Sequence, residues 1–529
     1  MNDMLPRILT KNDLAIPPWA EPYVLMVKLG DEVTFYVDHA HADTPATRQL
    51  LKALANRGFP NVIKKPVTIE ELKALRTVHD SGKATSDTVS GQRRVIELLK
   101  QCLRAGASDG QLKQYKETAG VRLRIHGSMT SFGPPIIKSD IEQLCMTLFN
   151  MSDKNSRTGN YSPDSPNGAA IVHRLAEFGL ADMFAAIRLT FNPTFLGPEC
   201  DMRFQPANQT ARDIEAIGLP AETVDTVQDA TAEREGAILI SGPVGSGKTN
   251  FLASAVKDYN TRFPGRKIQT IEDPVEIFIS DTISQWQVTG TFQDRGDEYL
   301  DALNRTLRSD AQMVMLQEMR DAAAAKAFFR LAITGALALS TIHASHPLMI
   351  PARLKDLGVS RFHLTNPDVI RILGGVHLIP VLCQHCKIPL ADALPSSPEL
   401  ARAINRVRRF AEHAHALRGS SPPSLEKIFI ARSEGCPHCR GDDSIVRDSY
   451  GTTGRVQVAE MIRPDHTLLD HCYEERIRDA THHLRTVLKV PSLREHALDL
   501  IAAGVVSPID TELAIGRFPA VGALEAVAA

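Results

Sequence analysis

The chain opens with short runs in which apolar and polar positions alternate. "YVLMVKLG" (23–30), "VTFYVD" (33–38) and "NVIKK" (61–65) carry the period of two expected of half-buried strands. "TRQLLKALANRG" (47–58) and "TIEELKALRT" (68–77) repeat apolar residues three and four apart, as on one face of a helix. Together they predict a small α/β domain over residues 1–77. The polar stretch "VHDSGKATSDTVSGQ" (78–92), rich in small residues, predicts a flexible linker behind it. A second loop is predicted over "SDKNSRTGNYSPDSPNG" (152–168), and an interdomain linker over "NQTARDIEAIGLPAETVD" (208–225).

Farther along, the alternation gives way to continuous apolar runs, the mark of strands buried on both faces. Ala237–Ser241 is one such run, and an amphipathic helix follows it. "IQTIEDPVEI" (268–277) ends its strand in Glu272, Asp273 and Glu276, with Pro274 as the stop. "MVMLQEMRD" (313–321) ends in Glu318, and "TGALALSTIHAS" (334–345) ends in His343. Strands that all finish in polar residues place those residues at the carboxyl edge of one parallel sheet. Each acidic residue taken alone also reads as a helix N-cap; the convergence of three strand ends favours a site.

Length and charge narrow the class. At 529 residues the chain can bury several cores. With 23% charged and 43% apolar residues and a formal net charge of −2, it has the balance of a soluble globular protein. That balance weighs against a whole-chain nucleic-acid binder. The apolar run "LAITGALALSTI" (331–342) falls well short of the roughly 20 residues a membrane span needs. The opening "MNDMLPRILTKNDL" lacks the charged-then-apolar pattern of a secretion signal, so a cytosolic protein is expected. The arginine-rich segment "LARAINRVRRFAEHAHALRG" (400–419) reads as a solvated amphipathic helix before it reads as a nucleic-acid contact.

Between the first buried strand and its helix lie Gly242, Pro243, Val244, Gly245, Ser246, Gly247, Lys248 and Thr249, which fit G-x-x-x-x-G-K-[ST]. Glycines let backbone N–H groups wrap phosphates, and the helix N-terminus adds a favourable dipole. Lys248 is placed to reach the β- and γ-phosphates, and the Thr249 hydroxyl to hold Mg²⁺. This is a nucleoside-triphosphate site, and Glu318 is the candidate for orienting the attacking water.

Eight cysteines divide into two groups. Cys102, Cys145, Cys200 and Cys472 stand singly and read as small buried hydrophobes. Cys383 and Cys386, then Cys436 and Cys439, form two C-x-x-C pairs. Four thiolates suit a tetrahedral Zn²⁺ shell, and a closed shell is structural, not catalytic. His385 and His438 inside the pairs are alternative ligands. A redox pair or disulfides are the competing readings, and a reducing cytosol disfavours the latter.

The order of these motifs resembles the type II/type IV secretion ATPases, which include the motors of type IV pili. "TIEDPVE" resembles that family's aspartate box, "EMRD" the end of its Walker B segment, and "TGALALSTIH" its histidine box. "GASDGQLKQYKETAGVRLRIHG" (106–127) resembles the opening of its second N-terminal domain. "GTTGRVQVAEMI" (451–462) and "SLREHALDLIAAGVVSPID" (492–510) resemble its C-terminal stretches. The resemblance covers roughly residues 90–517, with departures: Gln317 for a usual Gly, Ala336 for a frequent His, and Gln111 and His126 for a usual His and Asp.

The resemblance implies an α/β multidomain protein: an N-terminal α/β docking domain (1–77), a linker (78–92), a PAS-like α+β domain (93–207), an interdomain linker (208–225), a RecA-like P-loop ATPase core (226–380), a tetracysteine zinc-binding insertion (381–460) and a C-terminal helical region (461–529). It implies Glu318, Glu272 and His343 as catalytic residues. Arg188 and Arg203 are implied to reach the nucleotide from the PAS-like domain, with Arg308 a weaker candidate. The implied cofactors are ATP, Mg²⁺ and Zn²⁺. The implied assembly is a homohexamer that docks on an inner-membrane platform protein, peripheral to the cytoplasmic face, with no direct nucleic-acid contact. Four cysteines mark assembly motors in that family, whereas retraction motors generally lack them. A retraction ATPase, a RecA-like DNA-transfer motor and a non-hydrolysing switch are the competing readings. Because the P-loop and the cysteine pairs lie far apart in sequence, metal loss is expected to leave ATP binding largely intact.

Overall fold

The computed structural model describes residues 7–8, 23–29, 32–56, 61–69, 71–72, 86–136, 138–288, 295–393, 398–418, 424–425, 427–440 and 450–519. The chain divides into two units, Met1–Arg94 and Val95–Ala529.

In the first unit the described residues form a four-stranded sheet in the order Arg7–Ile8, Val24–Leu29, Glu32–Asp38, Asn61–Val67. The last two strands are parallel, and helix Pro45–Asn56 makes the crossover that a parallel pair requires. Alternation sorts the strands' side chains: Val24, Met26, Val33, Phe35 and Val37 bury with Leu50 and Leu54 of the helix. Leu25 and Val27 bury on the opposite face with Leu72.

The expected linker departs from the reading. Residues 78–85 lie outside the described residues, and a helix runs over Ser86–Arg104, covering the remainder of that stretch. Val95, Leu99 and Cys102, spaced four and three apart, are buried, and the helix they anchor extends backward through a polar turn. Composition alone does not reveal that extension.

The second unit contains two large sheets. A six-stranded antiparallel sheet has the order Ser128–Ile136, Ala119–Ile125, Ala107–Gln114, Gly197–Pro206, Phe184–Thr194, Asn167–Ile171. Helix Lys138–Met151 packs on it through Ile141, Leu144, Cys145 and Leu148. A seven-stranded sheet has the order Ser284–Gln287, Ile268–Glu272, Met313–Leu316, Leu337–Ile342, Gly236–Ser241, Ile370–Leu382, Thr452–Ile462. All neighbours in it are parallel except the last pair. Helices from both sides bury its inner strands, so Gly236–Ser241 and Leu337–Ile342 are buried at every position.

Two boundaries shift. The stretch expected to be an interdomain linker is not free: Ile214, Ile217, Leu219 and Val224 bury against the seven-stranded sheet, and helix Ala221–Thr231 begins inside it. Strand Thr452–Ile462, grouped in sequence with the cysteine module, belongs to the seven-stranded sheet, because its last six residues are buried there. The segment between Leu382 and Thr452 is therefore an insertion between two neighbouring strands. Its helix Pro398–Arg418 buries Leu400, Ile404, Val407, Phe410 and Ala411 along one face, as its periodicity predicts. Arg406 makes a two-pronged pair with Glu512 of the terminal helix Pro508–Ile515. No helix among the described residues is long and apolar enough to cross a membrane.

Candidate nucleotide site and sulfur cluster

The glycines of the loop are there for backbone reasons. Gly245 (φ 76°) and Gly247 (φ 90°) adopt left-handed conformations that carry strain for any side chain. A Cβ on Gly242 would meet both Ser246 Oγ and Val376 O at 2.6 Å. The loop can thus turn sharply from strand Gly236–Ser241 into helix Lys248–Arg262. Lys248 folds back, its Nζ donating to Gly242 O (2.7 Å) and Pro243 O (3.0 Å). Burial holds its pKa below the ordinary lysine value, partly offset by the Glu318 charge. Ser246 Oγ is buried with no partner among the described residues. An unpaired hydroxyl beside a ring of backbone N–H groups suits an oxygen-rich anion.

The loop opens on a cleft of about 1130 Å³ lined also by Asp273, Glu276, Gln317, Glu318, Arg320 and His343. From the six-stranded sheet, Arg124, His126, Arg188, Arg203 and Gln205 line the facing wall. Glu318 sits at its centre: Oε1 lies 2.5 Å from His343 Nε2, and Oε2 accepts from Arg320 Nε at 2.9 Å. Arg320 Nη1 in turn lies 3.4 Å from Asp273 Oδ2. Behind the carboxylate, the half-buried Tyr299 hydroxyl accepts from Glu318 N (3.4 Å) and donates to Ile271 O (3.3 Å), fixing the backbone.

Arg188 and Arg203 stand on neighbouring antiparallel strands, directly opposite each other. Arg188 Nη2 donates to Asp273 O at 3.2 Å, and Arg203 Nε donates to Asp109 Oδ1 at 3.0 Å. Thr249 lines the cleft with the rest of the loop.

Two sequence expectations change here. Glu272 does not line the cleft: it is 1% exposed, and Oε1 accepts from Thr270 Oγ1 (2.6 Å) and Gln285 Nε2 (2.9 Å). Burial raises its pKa against those two bonds. Its place is taken by its neighbours. Asp273 faces Arg320, and Glu276 accepts from Gln205 Nε2 at 3.1 Å. Arg308 is exposed past helix Arg295–Thr306 and does not line the cleft.

The departures from the family pattern also find places. Gln317 Oε1 accepts from Asp273 N at 2.5 Å, tying two strand ends together. Ala336 is buried at the start of its strand. Gln111 Nε2 donates to Glu199 (3.2 Å) and Asp201 (3.0 Å) within the six-stranded sheet. His126, at φ 49°, reaches Thr452 Oγ1 at 2.9 Å. Sequence reasoning missed Arg320 and Arg124. Arg320 was legible, since it stands two residues past Glu318 in "EMRD"; Arg124 carried no local signal.

The other cluster lies at the far end of the last strand pair. Cys383, Cys386, Cys436 and Cys439 bring their sulfurs within 4.8 Å of one another. The spacing fits a tetrahedral shell: Cys383–Cys436 and Cys386–Cys439 are 3.8 Å apart and Cys436–Cys439 3.9 Å. Metal–sulfur bonds of about 2.3 Å at tetrahedral angles put sulfurs about 3.8 Å apart, whereas a disulfide needs about 2.05 Å. Backbone N–H groups aimed at its sulfur favour the Cys436 thiolate and bring its pKa down to about 7. The four residues therefore form a cluster fit to hold a metal ion. The His385 and His438 rings pack at a tilt of 43° with centroids 4.1 Å apart and are not part of the sulfur cluster.

Known proteins resemble this chain over most of its length. The family described as "Type II/IV secretion system protein" matches residues 85–521. "Type II secretion system ATPase E" of Vibrio cholerae is 26% identical over 412 residues, covering 78% of this chain and 72% of that protein. "Type IV pilus assembly ATPase TfpB" of Acinetobacter baylyi is 30% identical over 399 residues, covering 74% of this chain and 60% of that protein. Among solved structures, the pilus retraction motor PilT with bound ADP aligns with a TM-score of 0.47 at 17% identity, over 78% of this chain and 95% of that one. With the P-loop, the acidic strand ends and the histidine in their expected order along one mixed α/β chain, and the match running through nearly all of the second unit, this chain belongs to the type II/IV secretion system protein family.

Proposed function

We propose that this chain is the motor ATPase of a type IV pilus or type II secretion machine, working as a homohexamer in assembly. It is an ATP-hydrolysing enzyme of its family. The observation that carries the reading is the meeting, in one cleft, of Lys248, Glu318 and His343 with arginines of a second sheet. In this reading, loop N–H groups and Lys248 hold the β- and γ-phosphates once Lys248 releases the loop carbonyls. Thr249 Oγ would hold Mg²⁺, which neutralises phosphate charge. Glu318 orients the attacking water, and His343 and Arg320 hold its carboxylate in place. Arg188 and Arg203 stabilise charge on the γ-phosphate and report nucleotide state to the six-stranded sheet, which takes the part of the PAS-like domain.

The sulfur cluster favours assembly over retraction, because tetracysteine modules mark the assembly motors that this sequence resembles. Zinc is the metal we assign to it: an all-sulfur, closed, tetrahedral set has no open position for chemistry. The motor is assigned to the cytoplasmic face of the inner membrane, docked on a platform protein through its N-terminal unit.

Phosphate release and oligomer mass, measured with and without ATP, test the proposal. Hydrolysis by a six-fold assembly is expected. A monomer that binds ATP without turnover would favour a nucleotide switch instead, and stimulation by DNA would favour a DNA motor.

A further inference from the structure

Gln457 lies against the P-loop but does not line the cleft, and it is 3% exposed. Its Nε2 donates to Gly247 O at 3.1 Å. The same carbonyl accepts from Phe251 N at 2.9 Å, the opening bond of the P-loop helix. Gln457 Oε1 is buried with no partner among the described residues. A Cβ on Gly247 would stand 3.0 Å from Gln457 Nε2, so the amide is pressed against the residue that precedes Lys248. Burying an amide with half of its hydrogen-bonding capacity unused costs stability. Such a group is expected where its remaining bond does something else.

The other end of the loop is held in a similar way. Gly242 packs so closely on Val376 O that no side chain fits. Val376 and Gln457 belong to the two neighbouring antiparallel strands, where Val376 pairs with Ala459 and Leu378 with Gln457. Those strands run together to Leu382 and Thr452. There Cys383 N donates to Gly451 O at 2.8 Å, and Cys383 Sγ lies 3.8 Å from Cys436 Sγ. Gln457 is five residues from Thr452, about 17 Å along an antiparallel strand. The sulfur cluster thus closes the end of the strand pair whose middle grips both ends of the P-loop.

We propose that Gln457 is a positioning residue of the nucleotide site, and that the metal-closed strand end fixes its register, so that metal occupancy and nucleotide affinity are coupled. The inference rests on the nucleotide-site reading above. Linkage makes the coupling reciprocal: bound nucleotide also tightens the metal.

The test uses the full chain, a fluorescent ADP analogue as probe, and metal analysis of every sample. Gln457→Met keeps the volume but removes the donor; affinity should fall about fivefold, the worth of one neutral hydrogen bond, with metal content unchanged. Gln457→Glu turns an acceptor toward the Gly247 carbonyl. Its loss relative to wild type should be larger at pH 8 than at pH 6, where a protonated acid donates again; a merely structural role would not give that profile. Stripping the metal from wild type with a chelator should weaken binding several-fold, and do so by less than twofold in Gln457→Met, because the coupled element is already lost. Wild-type affinity in both variants, or an undiminished metal effect in Gln457→Met, overturns the inference. Lys248→Ala separates the two levels: if wild type and Lys248→Ala bind the probe equally, the nucleotide-site reading itself fails.

Discussion

Glu318 and His343, 25 residues apart in sequence, meet at 2.5 Å across two adjacent parallel strand ends. Neither motif holds the other locally; the register Met313 to Leu337 delivers both side chains to one point. With Arg320 on its other oxygen, Glu318 is paired on both sides.

That pairing gives the first prediction. Glu318→Gln keeps the shape but loses the charge that orients water. It should bind ATP within about threefold of wild type and lose on the order of a hundredfold or more in turnover. Phosphate release and equilibrium nucleotide binding, measured side by side, check it; wild-type turnover would remove Glu318 from its role.

Lys248→Ala should act differently. It removes the only loop cation, so binding itself should fall by at least tenfold. Calorimetric titration with ATP decides, and retained affinity would argue that phosphates sit elsewhere in the cleft.

Arg188→Gln and Arg203→Gln should lower turnover more than they raise the dissociation constant for ATP. A guanidinium that meets developing charge acts on the transition state. Arg188 also anchors Asp273 O, so it should show the larger effect on binding. Unchanged kinetics in both would sink the assignment.

Glu460 provides a test that does not involve nucleotide. It is 3% exposed, with its carboxylate 2.5 Å from Arg485 Nη2 and 3.5 Å from His346 Nε2. Burial alone would push its pKa up, but Arg485 and His346 outweigh it and hold the carboxyl at about 2. A depressed native pKa contributes stability that is complete above the unfolded value of about 4.3. That stability is lost as pH falls from there through about 2. Arg485→Met leaves the buried charge without its nearest partner, so stability near pH 7 should drop by about 3–5 kcal/mol. Because the depressed carboxyl is what loses stability in acid, the deficit of Arg485→Met should shrink as pH falls below about 4.3. Urea melts from pH 7 down to pH 3 measure both, and an unchanged acid limb would dismiss the pair.

Purified protein should carry about one zinc per chain, and Cys439→Ser should release it. Sequence separation alone implied that ATP binding would be indifferent to this loss. The strand pair that joins the cluster to the P-loop predicts instead a several-fold weakening. Protein prepared without chelator that contains no metal, or that forms a disulfide across either pair, would refute the zinc assignment.

Much of this is legible in the sequence itself. The P-loop, the strands before and after it, and the paired cysteines are signals whose meaning depends on residues a few positions away. What failed depended on residues far off in sequence. Glu272 looked like its neighbour Asp273, yet strand alternation turns it inward, where Gln285 from a separate strand satisfies it. Ile214 and Ile217 looked like linker because the sheet that buries them comes later in the chain. Gln457 lies within "GTTGRVQVAEMI" (451–462), yet nothing in that stretch singles it out; only the fold brings its amide to Gly247 O.

The placement of the cysteine insertion has a topological consequence. Leu382 and Thr452, its two flanks, are already neighbours on adjacent antiparallel strands. Such a pair can be joined by a tight turn of about two residues. The central sheet is therefore complete in outline whether or not the intervening segment exists. An ancestor could gain or shed the whole module at this one seam without re-threading any strand. What resists its removal is upholstery, not wiring: Phe410 of the insertion lies 5.1 Å from Phe518, which is 1% exposed, and Arg406 grips Glu512. A chain without the module would expose the Phe518 ring and the Glu512 face of helix Pro508–Ile515 that the insertion now covers.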